Sequence, residues 1–236
     1  MQNETGTIYP VRDLARLARA RSPRALLHVD AVQALGKVEI DVAELGCDTL
    51  AVSAHKVHGP QGAGALFVRA GTALLPLVHG GGQEGGLRSG TENVAAIVGF
   101  GVAARIAEEE RARSTEKIVE LRARLVRGLS ELPGARVLEP GAPTLVPHVV
   151  AVVLPGVPSE VRMHHLEELG VVVSAGSACQ SAKSAQSPSL LALGLSPEEV
   201  RSLLRVSLAR TTTIEEVERA LAAFAEVGAR LAKVQR

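Results

Sequence analysis

The chain has 236 residues, and its 26 Lys and Arg against 25 Asp and Glu leave a formal net charge of +1, with no basic excess of the kind that direct nucleic-acid binding requires. Apolar residues make up 46%, enough for a packed core and too many for a disordered chain, whereas aromatic residues make up only 2%, too few for base-stacking platforms. Two cysteines, Cys47 and Cys179, are no disulfide framework; with no run of 18 apolar residues and no basic-then-apolar leader, the pattern is that of a cytoplasmic protein with no membrane partner.

In chain order, residues 10–21 place Val11, Leu14, Leu17 and Ala18 on one face of a predicted helix. Arginines 12, 16, 19, 21 and 24 then read as its solvated face. "ALLHVDAV" (25–32) predicts a buried strand, and "VEIDVAELG" (38–46) a loop and short helix stopped by Gly46. "DTLAVSAH" (48–55) and "GALFVRA" (64–70) predict two more strands, and this alternation of strand and helix points to an α/β sheet. A glycine-rich polar loop (79–93) precedes a helix at 93–113, and a domain boundary is expected at 112–116. The remainder reads as α+β: a strand at 146–156, a helix at 159–170 closed by Gly170, a strand and loop at 171–179, a strand at 205–210 and a long amphipathic C-terminal helix. Ser196 with Glu199 and Thr213 with Glu216 have the spacing of capping boxes.

The chemistry begins at "VSAHKVHGPQGAG" (52–64). Lys56 follows an apolar strand, is flanked by Ser53 and His55, and is followed by Gly59, Gly62 and Gly64. A lysine becomes a nucleophile only when its setting suppresses its charge or a cofactor uses it, and glycines let backbone close on a ligand. The hydroxyl, the imidazole and nearby backbone N–H groups could cradle a phosphate. The run does not fit the nucleotide-binding loop, because no lysine stands after its second glycine at the required place. Asp30, in "HVDAVQ", ends an apolar strand and needs a positive partner or strong donors; a protonated pyridine nitrogen would serve, and Gln33 could reach the same ligand. Taken singly, Lys56 also reads as a turn lysine, and Asp30 as the cap of the turn after it. Cys179 stands in a loop of small and polar residues, the setting of an accessible thiol, whereas Cys47 in "AELGCDTL" reads as packing.

"HVDAVQALGKVEID", "SAHKVHGPQGAGAL", "HGGGQEGGLRSGTEN" and "SAGSACQSA", in this order, resemble the cysteine desulfurases of the NifS/IscS type, pyridoxal phosphate (PLP) enzymes of the class-V aminotransferase group with fold type I. The resemblance covers essentially the whole chain but only the second part of such an enzyme. It implies an incomplete α/β large domain with a mainly parallel sheet over 1–111, and an α+β small domain with the cysteine loop over 112–236. It makes Lys56 the Schiff-base lysine, Asp30 the pyridinium partner and Gln33 a donor to the PLP phenolic oxygen. Ser53 and His55 become phosphate ligands, and Asn3 an asparagine near the ring and substrate. Thr91 matches a threonine that reaches the phosphate of the other subunit's cofactor, so a homodimer is implied. Arg210 matches the arginine that holds the substrate carboxylate, although Ala209 stands where the family has glycine. Cys179 matches the cysteine that takes sulfur from L-cysteine as a persulfide, leaves L-alanine, and passes the sulfur to an acceptor or an iron–sulfur scaffold protein.

Enzymes of this family carry a large portion before the motif found here at residues 2–6, including contacts to the PLP ring and phosphate and strands of the large-domain sheet. The expectation is therefore weak PLP retention and little turnover by this chain alone, with the region after residue 112 folding better. Another class-V PLP enzyme, an aminotransferase or a selenocysteine lyase, and a non-catalytic interaction fragment are the alternative readings.

Overall fold

In this computed structural model, residues 1–139, 144–175 and 187–234 are described. The chain forms two compact units: Tyr9–Ala112, and Met1–Ile8 together with Arg113–Arg236.

The first unit holds α1 (Val11–Arg21), β1 (His28–Asp30), α2 (Val42–Leu45), β2 (Thr49–Ser53), β3 (Gly64–Val68) and α3 (Val94–Glu109). The sheet has the order β1-β2-β3; β1 runs parallel to β2, and β3 antiparallel to it. Local chemistry sets the element ends. Asp41 Oδ1 accepts from the Ala43 and Glu44 amides to start α2, and Gly46 at φ 68° stops it in the left-handed region that glycine tolerates. Asn93 Oδ1 accepts from Ala96 N to start α3.

Three expectations for this unit change. β1 is short and not buried, because it is an edge strand: His28 and Asp30 are exposed and only Val29 is half-buried. The apolar stripe of α1 is open, with Leu14 52% and Leu17 56% exposed, and Ala15 is the helix's buried residue. Arg19 does not belong to a solvated face: its Nη2 donates to both Asp48 carboxylate oxygens at 2.8 Å. Leu27 N donates to the same carboxylate at 2.7 Å, so Asp48 ties α1 to the start of the sheet.

The second unit contains α4 (Arg111–Ser130), assigned to it from Arg113 onward, followed by β4 (Arg136–Leu138), β5 (Val149–Val153), α5 (Ser159–Glu168), β6 (Ser174–Ala175), α6 (Pro188–Ala192), α7 (Pro197–Arg201), β7 (Leu203–Ser207) and α8 (Ile214–Val234). Its sheet is antiparallel throughout, in the order β4-β5-β7-β6. All five residues of β5 are buried, which accounts for its unbroken run of Val and Ala: both faces are covered. On one face Val150 and Val152 meet Leu121, Leu125 and Leu129 of α4 and Leu221, Phe224 and Val227 of α8. On the other, Ala151 and Val153 meet Leu190 and Leu195. Both predicted capping boxes form. Ser196 Oγ accepts from Glu199 N while Glu199 Oε2 accepts from Ser196 N, and Thr213 and Glu216 exchange the same pair of bonds.

Candidate active site

The parallel pairing of β1 and β2 decides where the candidate residues fall. Asp30 is in register with Ala51, and Ala31 N continues the ladder to Ala51 O at 2.9 Å. The C-terminal end of β1 therefore lies beside the stretch of β2 that runs into Ser53 and on to Lys56. The carboxyl ends of adjacent parallel strands are where open α/β sheets bind ligands. Asp30, Ser53, His55 and Lys56 thus share one sheet edge.

Beyond β2 the chain forms a single 3₁₀ turn, Ala54–Val57. Ala54 and Val57 are buried against Phe100 of α3, and Ala103, Ala104 and Ala107 pack around them. Lys56 sits between these two anchors, half-buried, and no hydrogen bond or ion pair engages its ammonium among the described residues. The turn closes when Gly59 N donates to Ala54 O at 2.9 Å. A Cβ on Gly59 would lie 2.9 Å from that same carbonyl and 3.1 Å from Ala103 Cβ, so only glycine allows this approach. A fixed backbone with an uncommitted amine is the arrangement a covalent cofactor needs.

The neighbouring groups are already oriented. Ser53 Oγ and His55 Nδ1 are hydrogen-bonded at 2.8 Å, so a hydroxyl and an imidazole present together at the strand end. Asp30 is exposed, and its Oδ1 accepts from Val32 N at 2.9 Å; the second carboxylate oxygen has no partner among the described residues. The cap and the ligand role proposed for Asp30 are therefore compatible. Gln33 is half-buried, and its side-chain oxygen accepts from Lys37 Nζ at 3.2 Å. Thr91 is exposed in the glycine-rich loop, just before the Asn93 cap. An anionic ligand with a ring nitrogen and a carbonyl carbon finds, on this edge, a carboxylate, a hydroxyl–imidazole pair and an amine: the donor set fits PLP.

Asn3 and Arg210 belong to the other unit. Asn3 is half-buried and its carbonyl accepts from Arg205 Nη1 at 3.0 Å. Arg210 lies in the turn between β7 and α8, where its carbonyl accepts from Lys117 Nζ at 3.2 Å. Cys179 lies outside the described residues. Cys47 is fully buried, and its carbonyl accepts from Arg69 Nε.

Sequence reasoning missed the frame around Asn3. Glu4 is 2% exposed, and its Oε2 accepts from Gln2 Nε2 at 2.8 Å and from Ser187 Oγ at 2.7 Å. Arg205 reaches from the Asn3 carbonyl to Ser174 Oγ at 3.0 Å. Ser174 and Ser187 flank, in sequence, the stretch that contains Cys179. The Asn3–Glu4 segment is thus bonded directly to Ser187 on one side of that stretch and, through Arg205, to Ser174 on the other. Glu4 stands inside the motif at residues 2–6, next to Asn3, and that adjacency was the signal available in the sequence.

Among the described residues no three His, Cys, Asp or Glu side chains cluster as metal ligands, and no helix is long and apolar enough to cross a membrane.

A profile of the class-V aminotransferase family ("Aminotransferase class-V") matches residues 1–220. "Cysteine desulfurase IscS 1" of Archaeoglobus fulgidus is 40% identical over 219 residues, 93% of this chain and 56% of that protein. "Cysteine desulfurase IscS" of Clostridium botulinum (strain Hall) is 39% identical over 218 residues, 92% of this chain and 54% of that protein. A solved "NIFS-LIKE PROTEIN" superposes with a TM-score of 0.87 at 37% identity, covering 96% of this chain and 58% of its own. The apo cysteine desulfurase of Thermococcus onnurineus NA1 gives 0.82 at 25% identity, covering 98% of this chain and 58% of its own. The chain spans a little over half the length of the relatives it matches.

Proposed function

The chain belongs to the class-V aminotransferase family, whose members use PLP, and on that premise we propose that it carries the lysine and cysteine machinery of a cysteine desulfurase. The overall conversion is L-cysteine plus the Cys179 thiol to L-alanine plus a Cys179 persulfide. The observation that supports this most is the shared edge of β1 and β2, where Asp30 and the Ser53–His55–Lys56 turn end side by side.

Bound PLP would supply an electron sink that labilises bonds at the substrate's α and β carbons. Lys56 would hold the cofactor and would be the base for the proton at the substrate Cα, a task suited to an uncommitted amine on a backbone turn held by two buried anchors. The Asp30 carboxylate would keep the ring nitrogen protonated, and Gln33 would donate through its Nε2 to the phenolic oxygen, a group that its Oε1 bond to Lys37 leaves available. Ser53 and His55 bind phosphate as a pair, because one hydrogen bond already orients both. Asn3 and Arg210 hold the substrate, the guanidinium as a fork on its carboxylate. Cys179 takes the sulfur and delivers it to an acceptor protein, for iron–sulfur assembly or tRNA thiolation. Thr91, exposed in the glycine-rich loop, would reach the phosphate in a partner subunit, which makes the working form a homodimer; the expected compartment is the cytoplasm. Because relatives are nearly twice as long, the 236-residue chain alone is expected to hold PLP weakly and turn over slowly.

The test is incubation with PLP, L-cysteine and a thiol acceptor. Alanine release with a sulfur adduct on the Cys179 peptide, lost in Cys179→Ala, supports the reading. An adduct on Cys47, or alanine without any adduct at Cys179, contradicts it. No alanine at all removes the desulfurase reading for the isolated chain and leaves the family assignment standing.

A further inference from the structure

Arg162 stands on α5 and is 6% exposed. Its guanidinium makes no hydrogen bond and no ion pair among the described residues, and its Nε is buried without a partner. Arginine keeps its charge at any physiological pH, and charges removed from water are nearly always paired. None of the three acids of α5 pairs with it: Glu160 is exposed and makes no ion pair with Arg162, Glu167 faces His164, and Glu168 faces His165 and Arg230. Burial pushes the Arg162 pKa down, with no carboxylate acting against it.

The same residue lines a cavity of about 320 Å³ whose other walls are apolar: Leu132, Pro133, Leu154, Val157 and Phe224, with Leu231 at one side. A cavity with one unpaired planar cation and hydrocarbon walls lacks two things, a planar anion and an apolar body. A phosphate ester brings a second charge and polar substituents that these walls cannot satisfy. A monocarboxylate brings two oxygens in the plane of the guanidinium fork.

We propose that the Arg162 cavity is a binding site for a small monocarboxylic acid with an apolar tail, its carboxylate on the Arg162 guanidinium and its tail against Leu154 and Phe224. The site lies wholly within the second unit and uses neither Lys56 nor Cys179, so it does not depend on the desulfurase reading.

The experiment is a titration of the 236-residue chain, labelled at Leu and Val methyls, with octanoate and with octanamide, its neutral analogue. Octanoate should shift the Leu132, Leu154, Val157 and Leu231 methyls saturably. Octanamide should bind about tenfold more weakly or worse, since a charge-assisted hydrogen bond is lost. Arg162→Met removes the unpaired charge at similar volume, so it should fold, melt at or above the parent temperature, and lose the preference for octanoate. Equal binding of the two compounds, no shift at these methyls, or unaltered octanoate binding by Arg162→Met would overturn the proposal. A large drop in melting temperature in Arg162→Met would also overturn it, because it would mean that the guanidinium already has a structural partner.

Discussion

Glu4 Oε2 accepts a hydrogen bond from Ser187 Oγ at 2.7 Å across 183 residues of chain. One carboxylate thereby fixes the Asn3 segment to the residue that opens α6, whose Oγ also receives Leu190 N at 3.4 Å. Ser187→Ala removes a donor to a buried carboxylate and a helix cap together, so it should lower unfolding stability by about 1–3 kcal/mol. Urea denaturation measures this. If the reading of Asn3 and Cys179 is right, the same variant should also slow persulfide formation more than it changes PLP retention.

Asp48 gives a pH dependence whose sign is fixed by geometry. The Leu27 amide, and then the Arg19 guanidinium, hold its carboxyl below the usual carboxylate range. A depressed folded-state pKa adds stability that is complete above the unfolded pKa, about 4, and is lost as pH falls through the folded value. Asp48→Asn should therefore cost about 1–3 kcal/mol at pH 7 and progressively less on acidification below pH ~4. Unfolding curves of both proteins across that range check it.

The helix α1 should tolerate the loss of a leucine that the helix α4 cannot. Leu17 is 56% exposed, so Leu17→Lys should change stability by less than about 0.5 kcal/mol and reduce self-association. Leu125 is buried in the core between β5 and α8, so Leu125→Ala should cost about 2–5 kcal/mol. Denaturation and light scattering distinguish the two.

These contrasts mark what the sequence could carry. Capping residues act over three or four positions, so Ser196 and Thr213 were legible from spacing alone; Asp41 was not named, although its cap to Ala43 and Glu44 is just as local. β5 was legible because a strand covered on both faces must be apolar throughout. β1 was not: "ALLHVDAV" has the composition of a buried strand, but pairing on one side only leaves His28 and Asp30 exposed. Arg19 was misread for a related reason, since its partner Asp48 is 29 positions away and helical periodicity says nothing about it. The site residues Asp30, Ser53, His55 and Lys56 were named from motifs, but their common edge comes from the parallel register of β1 and β2, which only the fold supplies. Gln33 was named without its lysine neighbour, and Glu4 and Arg205 were not named at all, because their bonds span most of the chain.

Gly59 tests whether the lysine turn must be rigid. Gly59→Ala places a methyl 2.9 Å from the Ala54 carbonyl, so the turn must open or shift. The variant should lose about 1–3 kcal/mol of stability. It should also lose selective cofactor attachment at Lys56, although no side chain near the amine has changed. Peptide mapping after borohydride reduction reads the second effect.

The central claim is that Lys56, held between Ala54 and Val57, is the amine that takes the cofactor. Its most direct test is to add PLP to the 236-residue chain, reduce with borohydride and map the modified lysine by mass spectrometry. The account predicts a label on Lys56, absent in Lys56→Ala and weakened in Asp30→Asn. A label spread over the other lysines, or one that survives Lys56→Ala at the same yield, would contradict it.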